Sequence, residues 1–419
     1  MHKIVRMQPC RRFSIAVAAF AASAVGAQAP ACNAPGAPVL PGVEVLLRDS
    51  LAALRGQRVG LITNHSGRDR AGTSTIDLLH KAPGVRLTTL YGPEHGIRGT
   101  GQAGASIGNS VDSATGVPVF SLYGATRVPS AEMMTNIDVL IYDIQDVGTR
   151  MYTFEWTMAL AAEAAGKAGK RFIVLDRPNP IRNDRVEGGV LDVAFRSFVG
   201  QYPVAARYGM TPGELMRYLV GTKQVDVQLS VIPMCGYRNS AWYDELGLAW
   251  IDPSPNLRTV DAALLYPGMV FFEGTNLSEG RGTDAPFTQA GAPWLIDAQA
   301  MVDRLNARKL GGVHFDVAWR SIEAASKLGG LTIPMIRVRV TDRNAVRPVE
   351  VGAWMLRTIY AAHAKDWQWR AQAIDRLSGS DRLRKAVETS DAAVSALLAE
   401  FGAESARFAL QVMPYRLYR

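Results

Sequence analysis

The run Tyr91-Gly92-Pro93-Glu94-His95-Gly96-Ile97-Arg98-Gly99 crowds a carboxylate, an imidazole and a guanidinium onto one short turn. Glycine allows positive φ and close backbone approach, and proline fixes φ. A turn of that composition holds side chains in set positions, which a spacer does not need. Glu94 and His95 are groups that can transfer protons, and Arg98 can grip an anion. The bland alternative is a tight turn with an incidental ion pair.

Similar chemistry recurs at equivalent places. Val85–Leu90, just before this turn, reads as a buried strand. The apolar run Arg58–Thr63 leads into Asn64, His65 and Ser66. Ile137–Asp143 leads into Gln145 and Asp146, then Thr149 and Arg150. Arg171–Leu175 leads into Asp176, Arg177, Pro178 and Asn179. In open parallel sheets, ligands bind beyond the carboxyl ends of the strands. Four such clusters therefore define one expected crevice, although polar residues also mark where strands simply stop. A further dense segment, Phe272–Thr283, carries Glu273, Asn276, Glu279 and Arg281 on a glycine-rich loop without apolar periodicity. It is either part of the site or a solvated connection. Before it, Asp252-Pro253-Ser254-Pro255-Asn256 is a rigid turn suited to a pocket wall. Tyr266, Phe271, Phe272, Phe287 and Trp294 suit sugar rings or a core equally well.

The elements that position these groups alternate. Strands are expected at 58–63, 85–90, 118–122, 137–143, 171–175 and 225–233. Helices are expected at 73–81, 130–135, 153–168 and 211–220, the last with Thr-Pro at its start. Near-continuous apolar strands separated by helices predict a parallel sheet covered on both faces, an α/β, Rossmann-like domain over 43–260. A smaller α/β or α+β domain is expected over 261–419. Its helices fall at 297–307, 349–363 and 380–401, and its strand at 331–340.

Several motifs lose weight on inspection. Gly99-Thr100-Gly101-Gln102-Ala103-Gly104 matches the dinucleotide fingerprint by letter, but it lies past the strand and no helix follows. No nucleophile elbow is present, and no zinc-type spacing links the histidines and acids. No cofactor and no metal are expected.

The first 29 residues read as an export leader. Lys3, Arg6, Arg11 and Arg12 precede an apolar stretch from Phe13 to Ala27 and an Ala27-Gln28-Ala29 cleavage pattern. Ala29-Pro30-Ala31 is a second pattern, after which Cys32 would carry a lipid anchor; Ala rather than Leu at its start argues against that. The expected location is the periplasm or the medium. Of the formal charge of +8 on 419 residues, four positive charges lie in the leader, leaving +4. So mild an excess argues against nucleic acid and suits a small anionic substrate. Cys32 and Cys235 remain after processing, and their spacing says nothing about pairing.

Six segments together resemble a known family: YGPEHGIRG (91–99), DIQDVGTRMYTF (143–154), LDRPNPI (175–181), RYGMTPGEL (207–215), EGTNLSEGRGT (273–283) and GAPW (291–294). The chain is similar to the NamZ-type exo-β-N-acetylmuramidases from about Val43 to its end. The resemblance implies a Rossmann-like domain, a smaller C-terminal domain and a site in the cleft between them. It implies release of N-acetylmuramic acid from the non-reducing end of peptidoglycan fragments, with Glu94 as principal catalytic carboxylate. A disulfide between Cys32 and Cys235 is not something it implies.

Glycoside cleavage generally needs an acid and a second group at the anomeric carbon. Glu94 is the expected acid. Asp146 and Glu273 are candidates for the second group, with Glu279 behind them, unless the sugar's own acetamido group serves. Arg98, Arg150, Arg177 and Arg281 are candidates for the lactyl carboxylate. Asn64, His65, His95, Gln145, Asn179 and Asn276 are candidate substrate contacts. The competing reading is a non-catalytic protein that binds peptidoglycan fragments and does not need Glu94.

Overall fold

The computed structural model describes Cys32 and residues 38–94, 96–98, 108–124 and 126–419; the expected leader, His95 and the Gly99–Gly104 run lie outside the described residues. The first half contains α1 (Gly42–Val45), β1 (Arg58–Thr63), α2 (Thr75–Lys81), β2 (Arg86–Gly92), β3 (Ser110–Val111), β4 (Pro118–Ser121) and β5 (Val139–Asp143). It continues with α3 (Phe154–Lys167), β6 (Arg171–Leu175), β7 (Glu187–Val190), β8 (Ala205–Arg207), α4 (Pro212–Gly221) and β9 (Gln228–Ile232). Seven of these strands form one sheet in the order β3-β4-β2-β1-β5-β6-β9. All its pairings are parallel except β3 with β4.

Both faces of this sheet are buried, and the strand residues divide between two cores by simple alternation. On β5 and β6, Val139, Ile141, Ile173 and Leu175 face a core shared with Val43, Ile76 and Leu79. Leu140, Tyr142, Phe172 and Val174 face the other core, with Trp156 of α3 and Leu215 of α4. That is why these strands read as unbroken apolar runs. Helix α4 starts as its sequence suggests: Thr211 and Glu214 form a capping box around Pro212.

The second half contains α5 (Val260–Met269), β10 (Gln289–Gly291), α6 (Ala298–Ala307), β11 (Val313–Ser321), β12 (Thr332–Val340) and α7 (Pro348–His363). Helices α8 (Ala371–Ser378), α9 (Arg382–Thr389) and α10 (Asp391–Val412) complete it. Strands β10, β12 and β11 make a small antiparallel sheet. The core on the α3–α4 side of the large sheet runs on without a break into this half, through Phe315, Trp354 and Phe408. The chain end returns to the first half. The Leu417 amide donates to Glu214 at 2.7 Å, and the Tyr418 hydroxyl donates to Asp176 at 2.6 Å.

Several expectations need correction. The helix expected at 130–135 is one 3-10 turn, Glu132–Met134. The helix expected over 380–401 is broken: Gly379, at φ 84°, ends α8, and Ser390 caps a new start by accepting from the Ala393 amide. Strand β11 and the β7–β8 hairpin were not anticipated. Helix α5 was also missed, because it is buried on all sides and shows no period. The Phe272–Thr283 segment is no solvated connection, since Thr275, Ser278 and Glu279 are buried. Cys32 and Cys235 form a disulfide, a pairing that their spacing left open. Among the described residues, no helix is long and apolar enough to cross a membrane.

Candidate active site

Four parallel strands end at one edge of the large sheet, and side chains stitch the ends of β1, β5 and β6 together. The Asn64 carboxamide oxygen accepts from the Ser66 amide (2.9 Å) and hydroxyl (2.6 Å). The Gln145 amide donates back to the Ser66 hydroxyl at 3.0 Å, and its side-chain nitrogen donates to the Pro178 carbonyl at 2.6 Å. Asn179 donates to the Met210 carbonyl at 3.0 Å and accepts from the Ile181 amide at 3.1 Å. All three expected substrate contacts are buried; Gln145 and Asn179 are engaged by the protein, whereas the Asn64 side-chain nitrogen has no acceptor.

Two of the arginines have the same fate. Arg177 is buried and grips Asp143, which also accepts from Thr75, and donates to the Arg68 carbonyl at 2.8 Å. Arg150 is fully buried, without a carboxylate partner, and donates to the carbonyls of Leu377 (2.9 Å) and Val204 (3.3 Å). Burial pushes its pKa down to about 10. Arg150 thus ties the sheet edge to the end of α8. Arg98 is half-buried and held by Asp112 at 3.0 Å and Asp77 at 3.3 Å.

Asp146 is sealed from solvent. It accepts from the Tyr208 hydroxyl and from the amides of Val147 (2.6 Å) and Gly148 (3.0 Å). Burial still dominates these donors and raises its pKa to about 7. It does not face the crevice, so it fits the role of second catalytic group poorly. Asn276 is engaged too, donating to the Asp366 carbonyl at 2.9 Å and accepting from the Gln368 amide at 3.1 Å.

What remains around Glu94 is a ring of tyrosines. Glu94 is half-buried just past β2. It meets the Tyr123 hydroxyl in a side-chain hydrogen bond. Burial first, then this carboxylate, raise the Tyr123 pKa. The charge of Glu94 also reaches Tyr152 and Tyr266. Tyr152 donates to the Pro253 carbonyl at 2.7 Å, and His65 Nε2 lies 2.8 Å from the Asp252 carbonyl. The Asp252–Asn256 turn is therefore pinned as a wall. Tyr152, Tyr266 and Phe287 stack edge to face, with centroids 6.4 and 4.7 Å apart.

Tyr266 joins Glu94 to the loop from the second half, because its hydroxyl also feels Glu273, Arg281 and Glu279. Arg281 bonds Glu273 at 2.8 Å and Glu279 at 3.3 Å, and Lys327 stands 3.7 Å from Glu279. Burial raises the Glu273 pKa, against the opposing pull of Arg281. Burial lowers that of Lys327. Burial also works against Arg281, but the two carboxylates win and its pKa rises. About a quarter of the Glu273 side chain remains open to solvent, whereas Glu279 is closed off. Of the expected aromatics, Phe271, Phe272 and Phe287 belong to the core. Tyr123 and Lys327 were missed. Tyr123 follows β4, so the strand-end rule applied to that strand would have found it. Lys327 joins the site only by folding and leaves no local signal.

A parallel α/β sheet with a carboxylate past one strand, and a second carboxylate on a loop of the smaller domain whose charge reaches the same tyrosine, Tyr266, is an arrangement that suits a two-domain carbohydrate-active enzyme. The chain belongs to the NamZ exo-β-N-acetylmuramidase family, a family of glycosidases. Residues 59–261 match the model of its N-terminal part and residues 264–418 that of its C-terminal part. The chain is 41% identical over 348 residues to the peptidoglycan β-N-acetylmuramidase NamZ of Bacillus subtilis, covering 83% of this chain and 84% of that one. Two crystal structures of DUF1343-family proteins from Bacteroides fragilis are similar. One has a TM-score of 0.85 at 36% identity and the other 0.73 at 28%; each comparison covers 91% of this chain and 99% of the other.

Proposed function

We propose that this protein is an exo-acting glycoside hydrolase that releases N-acetylmuramic acid from the non-reducing end of peptidoglycan fragments, with Glu94 as its principal catalytic carboxylate. The observation that carries the reading is the placement of Glu94 at the edge of the parallel sheet. There its charge reaches Tyr123, Tyr152 and Tyr266, and Tyr266 leads to the Glu273–Arg281 loop. The substrate named for the Bacillus relative supports it.

Glu273 is the better second carboxylate, because it keeps an opening to solvent while Asp146 has none. Arg281 and Arg98 are the arginines left for the lactyl carboxylate, since Arg150 and Arg177 are enclosed; each is part-exposed and already paired with two acids, and Arg281 is the one beside Glu273. Glu273, Glu279, Arg281 and Lys327 balance in charge when all are ionised. The protein acts outside the cytoplasm. The leader pattern and a disulfide suited to an oxidising compartment support this location.

Purified protein is expected to release free N-acetylmuramic acid from a MurNAc–GlcNAc disaccharide. Glu94→Gln is expected to lower kcat by roughly 10²–10⁴-fold while keeping the circular dichroism spectrum and thermal midpoint. Wild-type protein that binds the disaccharide without cleaving it would favour the sugar-binding reading.

A further inference from the structure

One cavity of the described residues lies away from Glu94. It has a volume of about 690 Å³ and lies between the β7–β8 hairpin, the start of α7 and the middle of α10. Small organic ligands generally occupy pockets of roughly 300–1,000 Å³.

Its walls are set by close contacts. Gly188, at φ +84°, lets the hairpin approach α7: a Cβ there would lie 2.7 Å from Ala206 and 3.0 Å from Val349. The Ser405 hydroxyl of α10 donates to the Gly188 carbonyl at 2.8 Å. Leu398, Phe401 and Val346 line an apolar side.

The polar lining divides into matched and unmatched groups. Asp184 is held by Arg182 at 2.6 Å, and Arg343 by Asp244 and Asp261 at 2.6 and 2.7 Å. Glu187 accepts from the first amides of α7, Val349 at 2.9 Å and Glu350 at 3.3 Å. Arg207 is different. It is 3% exposed, one terminal nitrogen donates to the Ile181 carbonyl, and its Nε has no acceptor. A buried N–H without an acceptor is costly and calls for a partner. On the rim, the Arg347 side chain makes no hydrogen bond or salt bridge among the described residues; it and Arg207 both feel the charge of Glu187, which offsets only one of the two arginines. Glu350, in the first turn of α7 and three residues from Arg347, is a further acidic side chain of this lining.

We infer that this cavity is a second binding site, for a small carboxylate-bearing molecule with a short aliphatic body. Its carboxylate meets Arg207 Nε and the Arg347 guanidinium, and its aliphatic part lies against Phe401 and Leu398. The site is separate from the residues assigned to glycoside cleavage.

The test uses the dipeptide alanylglutamate as probe in calorimetry on the full-length protein, with alanylglutamine amide, in which both carboxylates are replaced by amides, as control. Saturable binding is expected, weakened about tenfold or more by the control or by Arg347→Ala, as loss of a charge-assisted contact predicts. Gly402→Phe fills the cavity from α10, where a Cβ would meet nothing within 4 Å, and is expected to abolish binding. Both variants should keep the wild-type thermal midpoint and disaccharide cleavage. The inference is overturned by absence of saturable binding or by unchanged affinity in folded Gly402→Phe. Displacement of the probe by disaccharide would also overturn it, since the probe would then sit at the Glu94 site. Loss of cleavage in Glu94→Gln, or its absence in wild type, bears on the glycosidase reading alone.

Discussion

Tyr123 and Glu94 lie just past the ends of neighbouring strands, β4 and β2, and meet through a side-chain hydrogen bond. A hydroxyl in that place fixes which way the carboxylate points, and positioning of a reacting group is worth orders of magnitude in rate. Tyr123→Phe removes the bond and keeps the ring. It is expected to lower kcat on the disaccharide about tenfold while leaving KM within about twofold, since the effect is on orientation and not on binding. Steady-state kinetics decide this; a rise in KM at unchanged kcat would make Tyr123 a substrate contact instead. The same scale explains why Arg150, Arg177, Asn179 and Gln145 looked like substrate contacts in the sequence. Polar groups at strand ends are needed there either for ligands or for backbone groups that have run out of strand partners. Composition does not separate the two.

Among the elements, the loop from Gln145 to Thr149 shows how tightly the crevice floor is built. Gly148 has φ +75°, and a Cβ on it would lie 2.4 Å from the Asn179 carboxamide oxygen. Gly148→Ala is therefore expected to cost about 1–3 kcal/mol, from a left-handed backbone and a displaced Asn179. Urea unfolding measures it, and a change below about 0.5 kcal/mol would mean that the loop relaxes freely. Strand positions were legible because alternating residues enter two cores, one on each face. Helix α5 and strand β11 were not. The first is apolar all round, and the second mixes buried and exposed side chains without a clean period.

For the whole molecule, three carboxyls set the pH response. Burial, the largest cause in each case, raises Asp146, Asp176 and Glu187 to about 7. Unfolded, such groups titrate near 4. The folded state therefore holds protons that the unfolded chain has already released. The stability these groups favour is complete below about pH 4 and is lost as pH rises through about 7. Asp146→Asn keeps an acceptor for Tyr208 without the charge, and its unfolding free energy should fall less steeply between pH 4 and 8. An unchanged slope would rule Asp146 out as a contributor. The Cys32–Cys235 disulfide closes a loop with a separation of 203 residues. Chain entropy puts its contribution at roughly 5 kcal/mol. Dithiothreitol is expected to lower the thermal midpoint by several degrees, and Cys235→Ala should show the same loss without reductant.

The sequence by itself determined the parallel sheet, its strand-end clusters and the family, because apolar runs and contiguous motifs are local. Glu94 stood out for the same reason: its special neighbours are adjacent in the chain. Only the tertiary structure decided which polar residues are enclosed and which face the crevice. Arg150 finds its acceptors in Val204 and Leu377, Asp146 its donor in Tyr208, and Lys327 its partners in Glu279 and Thr275. The pairing of Cys32 with Cys235 belongs to the same class. Each depends on distances between segments remote in sequence, and burial and hydrogen-bond satisfaction are properties of those distances and not of any single segment.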